Sequence, residues 1–187
     1  MFYQKNDNQV AVFVAPENFR DEEYFDTISV LQKEGLKVVT ISTKLGMCRG
    51  KMGASIISDM KVDRVRNDDF CAFVFIGGSG SAVYKGEKRI NRILKEAFYT
   101  GKVVGAICIA PMILYEGGFL RGRKFTVWNE DGEQEKIFSN DDEDVTFLDE
   151  DVVVDRNLVT ANGPKAAREF ASEIVDALHV ARERESI

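Results

Sequence analysis

The sequence predicts an α/β fold built on a mostly parallel sheet. Two observations carry that prediction. Short continuous runs of β-forming residues recur along the chain, and stretches with apolar residues at helical spacing separate them, as in successive βα units. At one joint in the series, Val103 to Gly122 (VVGAICIAPMILYEGGFLRG), a strand of small and β-branched residues runs directly into a cysteine and then into a helical pattern.

The elements follow in order. Val10 to Ala15 is the first strand by its continuous β-formers. Tyr24, Ile28 and Leu31 then recur at helical spacing, and Gly35 closes that helix as the residue beyond its cap. Leu36 to Ile41 is the second strand and Phe70 to Ile76 the third, with Gly77-Gly78-Ser79-Gly80 as its loop. Ile90, Ile93, Leu94 and Ala97 mark the next helix, closed by Gly101. Val103 to Ile107 feeds Cys108, and Met112 to Tyr115 continues as helix. Val152 to Val154 and Leu158 to Ala161 flank Asp155-Arg156-Asn157, a hairpin turn by composition. Asn162-Gly163-Pro164 starts a last helix with Phe170, Ile174 and Leu178 on one face.

Composition bounds the function. A chain of 187 residues is most simply one domain spanning 1–187, large enough for a full core. No apolar run approaches the ~20 residues of a membrane span, and the start MFYQKNDNQV holds no apolar signal core. Cys48, Cys71 and Cys108 are three, an odd number spread widely, which suits reduced thiols in a cytoplasm and neither a disulfide frame nor a metal site. A net charge of −6 argues against nucleic acid as a partner. The acidic stretch from Asn129 to Asp151 reads as a solvated excursion, because its Asp-Asp-Glu-Asp run lacks the ligand spacing and glycine of a calcium loop.

Chemistry concentrates at Cys108. A cysteine at a strand–helix joint can stand above the sheet edge with the following amides beside it. A helix N-terminus there would favour thiolate, and free N–H groups could hold an oxyanion. Free cysteine is also often a small buried apolar residue, and the residues alone leave both readings open. Cys71, inside a β-run, should be buried; Cys48 falls in an expected loop. The loop Gly77 to Ala82 lacks the full G-x-G-x-x-G spacing and follows a third strand, so a dinucleotide site is a weak reading.

The segment AICIAPMILYEGGFLRGRKFT resembles the elbow of the ThiJ/PfpI superfamily, which includes intracellular proteases, a deglycase and glyoxalase-III-type chaperones. Three further segments resemble the same family in order: AVFVAPENFRDEEYFDTISVLQKEGLKVVTIS, FCAFVFIGGSGS and DVVVDRNLVTANGPKAAREFASEIVDAL. The resemblance implies a flavodoxin-like three-layer α/β sandwich with a nucleophile elbow, as in the class I glutamine amidotransferases. It implies a site without a cofactor, a small-molecule substrate, and a homodimer or larger homo-oligomer. It assigns Cys108 as nucleophile, Glu23 as the acidic residue touching it, and the amides of Gly78 and Ile109 as the oxyanion hole. A carboxyl held beside sulfur in a partly dry cleft should have a raised pKa. Without the resemblance, Asp21, Glu22 and Glu23 would simply favour a helix start.

The departures narrow the chemistry. Ile109 stands where the protease branch has a histidine, and Trp128 where the deglycase branch has one. The single histidine, His179, falls on the last helix at the surface by its period. A Cys–His pair is therefore not expected, and peptide hydrolysis becomes the third reading. The first is a hydrolase, deglycase or glyoxalase-type enzyme acting on small carbonyl or glycated substrates. The alternative is a redox-sensing or stress-response protein whose Cys108 is oxidised. Trp128 could wall the pocket or simply pack. Asn162 borders the pocket in relatives or serves only the turn. Arg49 could meet an anion or be a solvated charge.

Overall fold

The computed structural model of the chain describes residues 8–130, 132 and 144–185. In chain order its elements are β1 (Gln9–Phe13), β2 (Glu17–Phe19), α1 (Asp21–Lys33), β3 (Lys37–Ser42), β4 (Gly46–Gly50), β5 (Ser55–Ser58), β6 (Met60–Lys61) and β7 (Ala72–Phe75). Then come α2 (Lys88–Tyr99), β8 (Val103–Ile107), α3 (Pro111–Glu116), β9 (Arg123–Phe125), β10 (Val145–Phe147), β11 (Val152–Asp155), β12 (Leu158–Ala161) and α4 (Ala167–Glu185).

The main sheet has seven strands in the order β11-β12-β8-β7-β1-β3-β6. Every pairing is parallel except β11 with β12, the C-terminal hairpin. Parallel strands covered on both faces bury both sets of alternating side chains, which is why they read as continuous apolar runs. One face packs Phe13, Phe73 and Phe75 against Ile90, Ile93 and Leu94 of α2 and Ile113 and Leu114 of α3. The other packs Val10, Val12 and Val74 against Tyr24 and Leu31 of α1 and Phe170, Ile174 and Leu178 of α4. This is the three-layer α/β sandwich that the family resemblance implies, with the mostly parallel sheet that the alternation predicts. No helix among the described residues is long and apolar enough to cross a membrane.

Local chemistry sets the helix ends. Gly35 and Gly101 follow α1 and α2 at φ of 76° and 72°, a left-handed conformation that glycine adopts without a Cβ penalty. The Glu87 carboxylate caps α2 by accepting from the Ile90 amide at 2.7 Å. Pro111 opens α3, where its missing N–H costs nothing.

Two expectations are corrected here. Cys48 lies in β4, not in a loop, and is fully buried. Cys71 precedes β7 and is only half-buried, its thiol donating to the Gln9 carbonyl at 3.1 Å. The sequence pattern also misses a second sheet, β2-β4-β5, in which β4 and β5 pair antiparallel and β2 runs parallel to β4. Arg49 is an exposed residue of that sheet. Of the acidic excursion, residues 131 and 133–143 lie outside the described residues.

Candidate active site

Cys108 follows β8 directly and takes φ of 63°, a left-handed conformation rare for a residue with a side chain. Its neighbours hold it there. The Cys108 N–H donates to the Ala161 carbonyl at 2.8 Å, and the Cys108 carbonyl accepts from the Trp128 amide at 2.9 Å. Backbone strain of this kind persists only where surrounding structure over-determines it. The result is a half-buried sulfur at the carboxyl ends of the central strands, where open α/β sheets place their sites.

Glu23 arrives from the first turn of α1 and is fully buried. One carboxyl oxygen, Oε2, accepts from the Gly77 amide at 2.9 Å. Oε1 is buried without a hydrogen-bond partner of ordinary geometry. The Cys108 thiol is the side chain that interacts most strongly with this carboxyl. Gly77 makes the approach possible. A Cβ there would lie 2.5 Å from the Cys108 Cβ, 2.7 Å from Glu23 Oε2 and 2.8 Å from the Ile107 carbonyl oxygen. The Gly77 carbonyl in turn accepts from Arg20 N–H at 3.1 Å, so the peptide groups on both sides of Gly77 are tied to the start of α1. Gly78 follows at φ of 93°, with the backbone of Asn18, Phe19 and Arg20 where a side chain would stand.

The electrostatics follow from burial. Loss of water pushes the Glu23 carboxyl up to about 7, against the opposing effect of the Cys108 thiol beside it and the Gly77 amide. Burial also pushes the Cys108 thiol up to about 12, and the Glu23 charge adds to that rise. The amides of Gly78 and Ile109 face the sulfur and pull the other way. The expected preference for thiolate is thus corrected. α3 is only six residues long, and desolvation outweighs the amides that its start supplies.

A cleft of about 510 Å³ opens over the sulfur. Its lining brings together Cys108, Glu23, Gly78, Ile109 and Trp128. Arg20, Lys51, Ser79, Glu130 and Pro164 complete it; Ser79, Glu130 and Pro164 lie in segments the sequence singled out, but none of the five was expected at the site. Trp128 is 39% exposed, and its ring lies over Gly163, where a Cβ would come within 2.8 Å of it. Asn162 is not among the lining residues. Its side-chain amide donates to the Asp151 carboxylate at 2.9 Å and its N–H to the Asp151 carbonyl at 3.0 Å, a turn role. His179 is exposed on α4 and does not line the cleft. The glycine loop after β7 continues as a short 3₁₀ helix from Ser79 to Tyr84 and carries Ser79 to the cleft. Among the described residues, no group of His, Cys, Asp and Glu side chains is placed to hold a metal ion.

The family model of the DJ-1/PfpI family matches residues 8–177. The chain belongs to that family. It is 32% identical to deglycase PfpI of Pyrococcus furiosus over 170 residues, covering 89% of this chain and 98% of the relative. It is 31% identical to protein/nucleic acid deglycase 2 of Escherichia coli over 173 residues, covering 91% and 97%. Among solved structures, a ThiJ/PfpI domain protein from Brachyspira murdochii superposes with a TM-score of 0.84 at 28% identity, covering 92% of this chain and 97% of that one. Deglycase and glyoxalase names therefore recur among the relatives of a DJ-1/PfpI chain whose cysteine and glutamate meet in one cleft.

Proposed function

We propose that this DJ-1/PfpI protein is a cofactor-independent cysteine enzyme acting on small carbonyl or glycated substrates. Cys108 is the nucleophile, Glu23 carries the proton, and the amides of Gly78 and Ile109 hold the oxygen. The observation that carries this reading is the fully buried Glu23 carboxyl, raised to about 7 by burial and set against the thiol across Gly77. A carboxyl poised near neutrality can both take and return a proton. The sulfur adds to the carbonyl carbon as its proton passes to the Glu23 carboxylate. The carbonyl electron pair moves onto oxygen, beside the two amides. Glu23 returns the proton to that oxygen, and a hemithioacetal results with nothing lost or gained. A thiol near 12 reacts slowly by itself, so transfer to Glu23 in the same step is what makes the addition feasible.

Methylglyoxal consumption by wild type, Cys108→Ser and Glu23→Gln tests this. Cys108→Ser should abolish it. Glu23→Gln should lower it by ~10²–10⁴-fold, the usual worth of a general acid–base group. Full turnover in the Cys108→Ser protein would refute the reading. Peptide cleavage should be weak, since neither Ile109 nor Trp128 can protonate a leaving amine.

The absence of a histidine at positions 109 and 128 also favours a second reading, a redox-sensing or stress-response protein. Oxidation of Cys108 by peroxide, followed by intact mass with no carbonyl turnover in any assay, would select it.

A further inference from the structure

The mouth of the cleft is lined by charges of both signs. Two cations, Arg20 and Lys51, and one exposed acid, Glu130, line it, although the chain as a whole bears −6. Arg20 is already engaged, its Nε lying 3.0 Å from Glu22 Oε2. Lys51 is not: among the described residues its ammonium has no ion-pair or hydrogen-bond partner.

Its backbone, by contrast, is firmly fixed. The Lys51 N–H donates to the Phe19 carbonyl at 2.8 Å, and the Gly50 N–H to the Ala54 carbonyl at 2.8 Å. Asp21, only 7% exposed, accepts from the Ala54 amide at 2.7 Å and the Met52 amide at 2.9 Å. Gly50 is required for this, because the Asp21 carboxylate occupies the space of a Cβ there. A buried carboxylate is unfavourable unless its oxygens are met. Here it pins a turn whose one cationic side chain points to the same cleft as Glu23, two residues further along α1. The cleft also has room: about 510 Å³ lies within the range of small organic ligands and exceeds what a three-carbon dicarbonyl fills.

We infer that Lys51 is a specificity residue that selects substrates carrying an anionic group beyond the reacting carbonyl, with Asp21 as the positioning residue that holds it in place. The inference rests on the reading of Cys108 as a carbonyl-reactive nucleophile for its substrate class, but the charge selection can be read without turnover.

Iodoacetate and iodoacetamide alkylate the same sulfur and differ in charge. At fixed pH, Lys51→Gln should slow iodoacetate labelling of Cys108 by about fivefold, the effect of one near-surface charge, and leave iodoacetamide labelling unchanged. Lys51→Arg should restore iodoacetate labelling, and raised salt should erase the difference. Lys95→Gln, which removes a distant charge on α2, should do nothing. Asp21→Asn should follow Lys51→Gln in direction; should it fail to fold, the exposed-site variants decide alone. Equal slowing of both reagents by Lys51→Gln, or no slowing of either, would overturn the inference.

The substrate arm uses matched pairs, glyoxylate against glyoxal and glyceraldehyde 3-phosphate against glyceraldehyde. Lys51→Gln should raise KM for the anionic member about fivefold with kcat unchanged. The pair that responds tells whether carboxylate or phosphate is preferred. Charge-selective alkylation with no turnover of any carbonyl would leave Lys51 as an anion-selecting residue and defeat the carbonyl reading. Turnover indifferent to Lys51 would do the reverse.

Discussion

Cys108 and Arg156 hold nearly the same unusual backbone, with φ of 63° and 60°. Each follows a strand of the main sheet directly, Cys108 after β8 and Arg156 after β11. What their side chains meet is quite different. Arg156 stands exposed in a two-residue turn, its guanidinium donating to Asp155 at 2.8 Å and to the Gly122 carbonyl at 2.8 Å. Cys108 is half-buried and faces a carboxyl that water does not reach. A left-handed residue is thus no sign of chemistry by itself. In the hairpin it is the geometry of a tight turn; at the elbow it aims a sulfur into a dry cleft, with amides on one side and a displaced titration on the other.

Gly77→Ala should break the elbow most severely. The added methyl meets Cys108, Glu23 and backbone at 2.5–2.8 Å, and the Ile107 carbonyl cannot swing away without disturbing β8. Overpacking of this kind costs about 3 kcal/mol, read as a melting temperature lower by roughly 6–12 °C in a chain of this size. An unchanged melting curve would mean that the glycine serves only the loop.

Glu23 should leave a mark on stability against pH. Its carboxyl rises from 4.5 to about 7 on folding, so the folded protein binds that proton more tightly than the unfolded chain does. The contribution is therefore full below about pH 4.5 and is lost as the pH climbs through about 7. Over that window the loss is at most about 3 kcal/mol. Chemical denaturation of Glu23→Gln against wild type at pH 5 and pH 8 checks it. The variant should gain on wild type toward pH 8, and a constant difference would place the carboxyl in water.

The same substitution should separate reactivity from catalysis. Removing the Glu23 charge takes away the second cause of the raised thiol, and burial remains as the first. Plain alkylation of Cys108 by iodoacetamide should then speed up, by about tenfold at a fixed pH below its pKa, while carbonyl turnover falls. Both rates moving together would mean that Glu23 affects only the thiol's charge and carries no proton for substrate.

The elbow was legible because its determinants are local. Val103 to Ile107 forms a strand over the residues its β-formers mark, Pro111 starts the helix after it, and Gly35 and Gly101 end theirs. Ile90, Ile93, Leu94 and Ala97, spaced for one helix face, are all buried. The sequence placed Glu23 beside Cys108 only through family likeness, since 85 positions separate them and the sheet order brings their strand ends together. What stayed hidden is non-local. Asp21 looked like a helix-start acid, yet it clamps the Met52 and Ala54 amides, more than 30 residues away. Cys48 looked like a loop residue because Gly46-Met47-Cys48-Arg49-Gly50 has no β pattern; pairing with Ile56 and Ser55 makes it a strand. The thiol's rise could not be read at all, because it depends on how much protein closes over one sulfur.

The smallest effect belongs to the hairpin. Arg156→Gly relieves a left-handed residue, worth roughly 1–2 kcal/mol. It also adds backbone freedom to the unfolded chain, at roughly 0.5–1 kcal/mol, and removes an exposed ion pair worth about 0.2–1 kcal/mol. These oppose one another, so denaturation should shift by less than about 1 kcal/mol in either direction. Alkylation of Cys108 should not change. That second measurement is the sharper one, because β12 connects the two sites: it pairs with β11 at the turn, and its Ala161 carbonyl holds the Cys108 amide. If loosening the turn altered the thiol's rate, strain would pass along β12, and the two left-handed residues would be parts of one device rather than two uses of one conformation.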